Sequence, residues 1–207
     1  GEAVELTEGM VDAMLSMFNL DALSVGIYAR GLALAETGRI EEAMKILTYG
    51  IHTCESLGGM IHLGQLYNCL GYCFMEIQNI DKARELNSRS RDLGRKLMEG
   101  YPSGRQIAAE IVAHANVNLM ENLFDQGDLD ASCDLMRSFE KESRGDDYCR
   151  SRDRWGTRMD ALAATIFLDR NDAAEAERIV ERNLRTAKRE HVKKYVGRFL
   201  RLLGEVQ

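Results

Sequence analysis

Proline is almost absent from this sequence, with one residue, Pro102, among 207. Because proline ends or kinks a helix, its scarcity leaves room for long uninterrupted helices. Aromatic residues make up only 7% of the chain, whereas alanine, leucine, methionine and glutamate are common, a composition typical of helical proteins. A hydrophobic content of 45% is enough for a sizeable core. The composition therefore predicts an all-α protein.

Long apolar runs are also missing, and no stretch of 18 apolar residues occurs, so no membrane-spanning helix and no membrane partner are expected. The first ten residues, GEAVELTEGM, lack the basic start and apolar centre of a signal peptide. They also lack an initiator methionine, and we therefore expect a fragment of a larger protein. Five cysteines without the spacing of small secreted proteins predict reduced thiols and a cytoplasmic location.

Sequence signatures of catalysis are missing as well. There is no phosphate loop of the form G-x-x-x-x-G-K-[ST], no G-x-S-x-G and no H-E-x-x-H, so we expect no catalytic residues and no cofactor. Cys69 and Cys73 lie four residues apart, which fits either half of a metal site or two small packing residues. No second cysteine or histidine pair completes a ligand set, which favours packing and predicts no metal site.

Charge is distributed unevenly along the chain. The net charge is −6 over residues 1–60, +1 over 61–104, −6 over 105–147 and +5 over 148–207. The basic end predicts a docking face for an acidic partner, and a solvated helix face is the alternative interpretation. The net negative charge of the whole chain and the scarcity of aromatic residues among these lysines and arginines argue against nucleic acid as a partner. The predicted docking face consists of Arg185, Lys188, Arg189, Lys193 and Lys194.

Four short stretches repeat one pattern along the chain: GRIEEA (38–43), QNIDKA (78–83), GDLDAS (127–132) and NDAAEA (171–176). Each ends on a small residue where a second helix would begin. Twelve residues before that position stand Gly31, Gly71, Met120 and Ala164, of which three are small enough for two helices to cross closely. Nine residues before it stand large apolar residues: Leu34, Phe74, Leu123 and Phe167. The pattern predicts helix, tight turn and helix, four times over.

This pattern resembles the tetratricopeptide repeat (TPR), most closely in the second unit, where Tyr67, Leu70, Gly71, Phe74 and Ala83 fall at the signature spacings. The repeats are longer than the usual ~34 residues. In this the chain resembles the MalT-like region of bacterial transcription activators and of related ATPase and adenylate-cyclase-type signalling proteins.

The resemblance implies a single domain over 1–207, a right-handed α-solenoid of about four helix pairs with flanking helices at both ends. The pairs are expected over 21–57, 60–98, 105–143 and 150–188. The flanking helices are expected over 4–19 and 190–204.

The resemblance also implies that the first helix of each pair lines a groove for a protein or peptide partner, with a small effector as an alternative ligand. The expected groove residues are Tyr28, Gln65, Asn68, Tyr72, His114, Glu121, Arg158 and Thr165. The implied function is that of a non-catalytic recognition module in a bacterial signalling or transcription regulator.

Two other functions stay open. One is a free-standing homo-oligomeric adaptor, including a homodimer. The other is an enzyme subunit that uses His114 together with the nearby acids Glu121, Asp125 and Asp128.

Overall fold

The structure is a computed structural model that describes Val4, Thr7 and residues 20–149, 152–189 and 193–206. In these residues nine α-helices follow one another: α1 (Leu20–Glu36), α2 (Ile40–Leu57), α3 (Met60–Glu76), α4 (Ile80–Gly100), α5 (Arg105–Asp125), α6 (Leu129–Glu142), α7 (Arg152–Asp169), α8 (Ala173–Arg189) and α9 (Lys193–Val206). Two short 3-10 helices, Pro102–Gly104 and Asp146–Tyr148, precede α5 and α7. The all-α repeat predicted from the sequence is confirmed in this part of the chain.

The turn within each helix pair has the same hydrogen bonds in all four repeats. In the first repeat, the N–H of Arg39 donates to the Leu34 carbonyl and the N–H of Gly38 to that of Ala35, at 2.9 and 3.0 Å. These are the two bonds of a Schellman motif, which closes a helix through one left-handed residue. The left-handed residues of the four turns are Gly38, Gln78, Gly127 and Asn171, with φ between 59° and 80°. The sequence repeat is therefore a repeat of one turn structure.

The chain divides into two compact units, Gly1–Asn122 and Leu123–Gln207. In the first unit α1 packs on α2, α2 on α3 and α3 on α4, and their apolar faces form one core. Gly71 on α3 lies so close to the buried Asn87 side chain of α4 that a Cβ atom would collide with it. The close crossing predicted at this glycine is thus present.

The core of the second unit contains an aromatic cluster formed by Phe139, Tyr148 and Trp155. The Phe139 ring meets the Tyr148 ring edge-on at 5.6 Å between centroids, and the Trp155 ring at 5.3 Å. All three side chains are buried. Further along, α7, α8 and α9 pack against one another. The cluster anchors α6 to the segment that leads into α7.

The predicted helix bounds are close to those found. Between Leu20 and Arg189, each described helix pair begins and ends within two residues of the bounds expected from the sequence. The final helix was expected over 190–204 and is described from Lys193 to Val206. Apart from Val4 and Thr7, the helix expected over 4–19 lies outside the described residues. The assignment of 1–207 to one repeat domain stays a prediction.

Candidate recognition face

Three of the predicted groove residues follow one face of α3 at helical spacing, namely Gln65, Asn68 and Tyr72. Gln65 and Tyr72 are half-buried, whereas Asn68 is 8% exposed. The Asn68 amide nitrogen donates to the Ile111 carbonyl at 3.1 Å, which ties α3 to α5. Its side-chain oxygen is buried and has no hydrogen-bond partner among the described residues. Asn68 therefore both holds two helices together and retains one unused acceptor.

A network of buried asparagines continues from Asn68 into the interior of the first unit. The Asn118 amide nitrogen donates to Asn87 Oδ1 at 3.0 Å and to the Asn68 carbonyl at 3.4 Å. The Asn87 amide nitrogen in turn donates to Asn122 Oδ1 at 2.9 Å. Buried amides are stable only when most of their polar atoms are paired, so the network fixes how α4 and α5 meet. These three asparagines were not identified from the sequence, although the presence of three asparagines on α5 was a visible signal.

His114 and Glu121 on α5 are less open than a groove prediction implies. The His114 side chain is 18% exposed and lies 3.8 Å from the carboxylate of Glu110, and Glu121 is buried. The acids invoked for an enzyme have other roles nearby. Asp128 caps the start of α6 by accepting from the Ala131 N–H at 3.1 Å, which is the usual work of aspartate at a helix N-terminus.

The remaining predicted groove residues lie on α1 and α7. Tyr28 on α1 is half-buried and packs against the core of the first unit. In the second unit, Arg158 and Thr165 are half-buried, and the Thr165 hydroxyl donates to the Ala161 carbonyl one turn earlier, at 3.0 Å. That bond uses the Thr165 donor within its own helix.

The predicted basic face lies at the end of α8 and the start of α9 in the second unit. Arg185, Lys188, Arg189 and Lys193 are exposed, and the Lys194 side chain lies outside the described residues. Arg185 lies 3.6 Å from Glu181 on the preceding turn, an exposed pair of the kind that contributes little to stability. These side chains are accessible to a partner, and their docking role stays a prediction.

Cys69 and Cys73 are buried in the first unit as free thiols. Burial, the main cause, raises the pKa of Cys73 to about 12 and raises that of Cys69 as well. Both are thus protonated and poorly reactive near neutral pH, since the thiolate is the nucleophile and the metal ligand. Among the described residues, no group of three histidine, cysteine, aspartate or glutamate side chains could hold a metal ion.

A polar cluster that was not identified from the sequence joins α2, α3 and α4 through Glu55, Tyr67 and Arg89. The Tyr67 hydroxyl donates to Glu55 at 2.7 Å and accepts from Arg89 at 2.7 Å. The Arg89 guanidinium also lies 4.4 Å from the centre of the Tyr67 ring. Burial first, and the bond to Glu55 second, raise the pKa of Tyr67 to about 12. Tyr67 was noted in the sequence only because it falls at a TPR signature spacing, whereas the structure shows that its hydroxyl links three helices.

The raised pKa of Tyr67 predicts a specific loss of stability at alkaline pH. The unfolded chain ionises this tyrosine near pH 10, and the folded chain at about 12. The stabilising contribution is therefore complete below about pH 10 and is lost as the pH rises from about 10 to about 12. We expect the free energy of unfolding of Tyr67→Phe, measured in urea by circular dichroism, to fall less steeply over this range than that of the wild type.

Absorbance at 295 nm checks the same group directly. The tyrosinate signal that Tyr67→Phe removes should titrate at about pH 12. Replacement of the exposed Tyr49 by phenylalanine serves as the control and should leave that signal in place. If the absorbance that Tyr67→Phe loses titrates near pH 10 instead, the Tyr67 hydroxyl is not buried in the folded chain.

Comparisons with known proteins identify the fold. No family model and no curated protein matches the sequence. Among solved structures, one of Podosopora anserina TPR-like repeats of the kinesin light chain type is similar, with a TM-score of 0.54 at 16% identity, over 92% of this chain and 88% of the other. A tetratricopeptide repeat protein of Parabacteroides merdae aligns over 97% and 100% at 14% identity, but with a TM-score of only 0.32.

The first of these matches confirms the TPR-like helical-repeat fold. At this level of identity the match concerns the fold alone. The narrower resemblance to the MalT-like region stays a prediction. No helix in the described part of the chain is long and apolar enough to cross a membrane.

Proposed function

We propose that the chain is a non-catalytic recognition module that binds a protein or peptide partner. The observation that carries this proposal is the row Gln65, Asn68 and Tyr72 on α3. Gln65 and Tyr72 are half-buried side chains that can form hydrogen bonds with a bound peptide and stack against it, and Asn68 between them ties α3 to α5.

A peptide-selection experiment tests the proposal. A random peptide library is selected on the full chain, and the affinity of the enriched peptides is measured by fluorescence anisotropy. The double variant Gln65→Ala/Tyr72→Ala should weaken binding about tenfold or more, because it removes side chains on both sides of Asn68. Lys96→Ala, an exposed change on α4, is the control and should bind like the wild type. Equal binding by all three proteins would exclude the face of α3 formed by Gln65, Asn68 and Tyr72 as the peptide-binding site.

The larger context is also proposed. The resemblance to long-repeat arrays supports a role as the regulatory arm of a cytoplasmic bacterial signalling or transcription regulator, with a small effector as a second kind of ligand. Sequencing the native open reading frame on both sides tests this idea. An ATPase, cyclase or DNA-binding domain in the same frame would support it. A frame without such a domain would favour a free-standing adaptor, and sedimentation would then show whether that adaptor is a homo-oligomer.

A further inference from the structure

A pocket in the first unit lies beside the turn between α2 and α3, at the start of α3. Its volume is ≈ 500 Å³, within the usual range for ligand sites. Asp21, His62 and Tyr101 contribute its polar groups, and Met60, Leu97 and Ile107 contribute apolar walls. None of the motifs recognised in the sequence includes this set of residues.

The pocket stays open because glycines form the turn that borders it. Gly58 closes α2 with φ at 85°, a left-handed conformation that favours glycine, and an added Cβ atom there would meet open space. Gly59 follows as the N-cap of α3 and also has no side chain. On the other side, Gly104 lies directly under the Tyr101 ring, which a Cβ atom would displace. Small residues thus keep the turn clear and leave the ring exposed at the edge.

Asp21 and His62 are in contact within the pocket. His62 Nε2 lies 3.3 Å from Asp21 Oδ1. A carboxylate can only accept, so His62 Nε2 is the donor in this contact. The Nδ1 atom of the same ring is buried and has no partner among the described residues. Asp21 is 86% exposed, and its second oxygen is open to a ligand.

Among the residues that the structure describes, no lysine or arginine lines the pocket to neutralise Asp21. Arg105 is close in sequence to Ile107, but its guanidinium donates to the Met98 carbonyl at 2.9 Å. The described lining of the pocket therefore combines a carboxylate, an imidazole and an aromatic ring, without a lysine or arginine. This combination of groups is complementary to a cation that carries N–H donors.

The rim of the pocket is unusually apolar for a surface. Met60 and Tyr101 line it and are 45% and 44% exposed, and Leu57, directly before Gly58, is 64% exposed. Exposed apolar side chains that gather around a pocket are typical of protein-binding surfaces. A free amine would leave this rim uncovered, whereas a peptide with apolar residues beside its cation would bury it.

We propose that this pocket binds an arginine side chain that has apolar neighbours in a partner protein. The guanidinium pairs with Asp21 and stacks on Tyr101, which its flat shape allows and a lysine ammonium does not reproduce. The aliphatic part of the arginine contacts Leu97 and Ile107, and its neighbours cover the rim. The proposal rests on the recognition function proposed above but assigns a second surface and a defined partner chemistry.

Methyl NMR of the full chain tests the site with a defined probe. The peptide acetyl-Leu-Arg-Leu-amide is titrated into protein labelled at the methionine methyl groups. The Met60 methyl reports on the pocket. The Met75 methyl lies at the far end of α3, three residues after Tyr72, and reports on the row Gln65, Asn68 and Tyr72. We expect a saturable shift of Met60 and little change at Met75. The same peptide with citrulline in place of arginine, which keeps the shape and removes the charge, should bind about tenfold more weakly.

The variant Asp21→Asn should lower the affinity for the arginine peptide about fivefold, because it removes the charge that pairs with the guanidinium. The substitution is at an exposed position, where the fold tolerates it. Equal shifts with the citrulline peptide, or an unchanged affinity in Asp21→Asn, would overturn the assignment. Agmatine that binds as tightly as the peptide would overturn the choice of a protein partner. A shift at Met75 without one at Met60 would reject the pocket and still support the α3 face, so the two proposals fail separately.

Discussion

Replacement of Asn87 by alanine should destabilise the first unit by about 3 kcal/mol. Asn87 is fully buried, donates to Asn122 and accepts from Asn118. Its loss leaves a cavity against Gly71 and removes the partner of the Asn122 oxygen. The cost therefore combines weaker packing with an unpaired buried amide. Urea unfolding followed by far-UV circular dichroism measures the change in the free energy of unfolding.

Asn79→Ala, at the N-cap of the same helix, is the matched control for Asn87→Ala. Asn79 caps α4 by accepting from the Lys82 N–H at 3.3 Å, and it is exposed. Loss of such a cap costs typically ~1 kcal/mol. If Asn87→Ala costs no more than Asn79→Ala, the buried network does not hold α4 against α5.

Phe139→Ala should have the largest effect in the second unit, a loss of about 4 kcal/mol. The ring is 1% exposed and meets both Tyr148 and Trp155 edge-on. Removing it opens a space that two other rings border, and neither ring can fill it without leaving its own position. The chain has a single tryptophan, so the fluorescence of Trp155 in urea reports this loss directly.

A leucine at the same position separates the effect of the ring from the effect of its volume. Phe139→Leu retains most of the buried apolar volume and should cost about 1.5 kcal/mol. The edge-on interactions with Tyr148 and Trp155, which both variants remove, would then account for the smaller part of the effect of Phe139→Ala. If the Trp155 emission of Phe139→Ala changes at the same urea concentration as that of the wild type, the aromatic cluster does not stabilise the second unit.

Much of the fold could be predicted because the information is local. Each repeat has its left-handed residue, its small residue and its large apolar residue at fixed spacing, and each of these has a backbone or packing reason that does not depend on distant residues. Leu34 and Phe74, recognised as large apolar residues, also provide the carbonyl groups that close the turns. Helix bounds followed from the same local signals.

The candidate sites were harder to predict because they depend on which distant residues meet. The TPR resemblance placed Asn68 among the expected groove residues, but only the structure shows that its amide donates to the Ile111 carbonyl. The pocket joins Asp21, His62 and Tyr101 from three separate segments, and no motif relates them. The contact between Phe139 and Trp155 likewise becomes visible only in the structure.

The four closely similar turns have a consequence for how the chain folds. Each turn brings together two helices that are neighbours in sequence, and the bonds that close it, such as Asn79 N–H to the Phe74 carbonyl, span only five residues. Contacts of such short range form quickly, since little chain entropy is lost in making them. Each hairpin can therefore form while the ribosome is still adding the next one. Among the four described turns, the one that Gly38 closes leaves the ribosome first and can form before the other three.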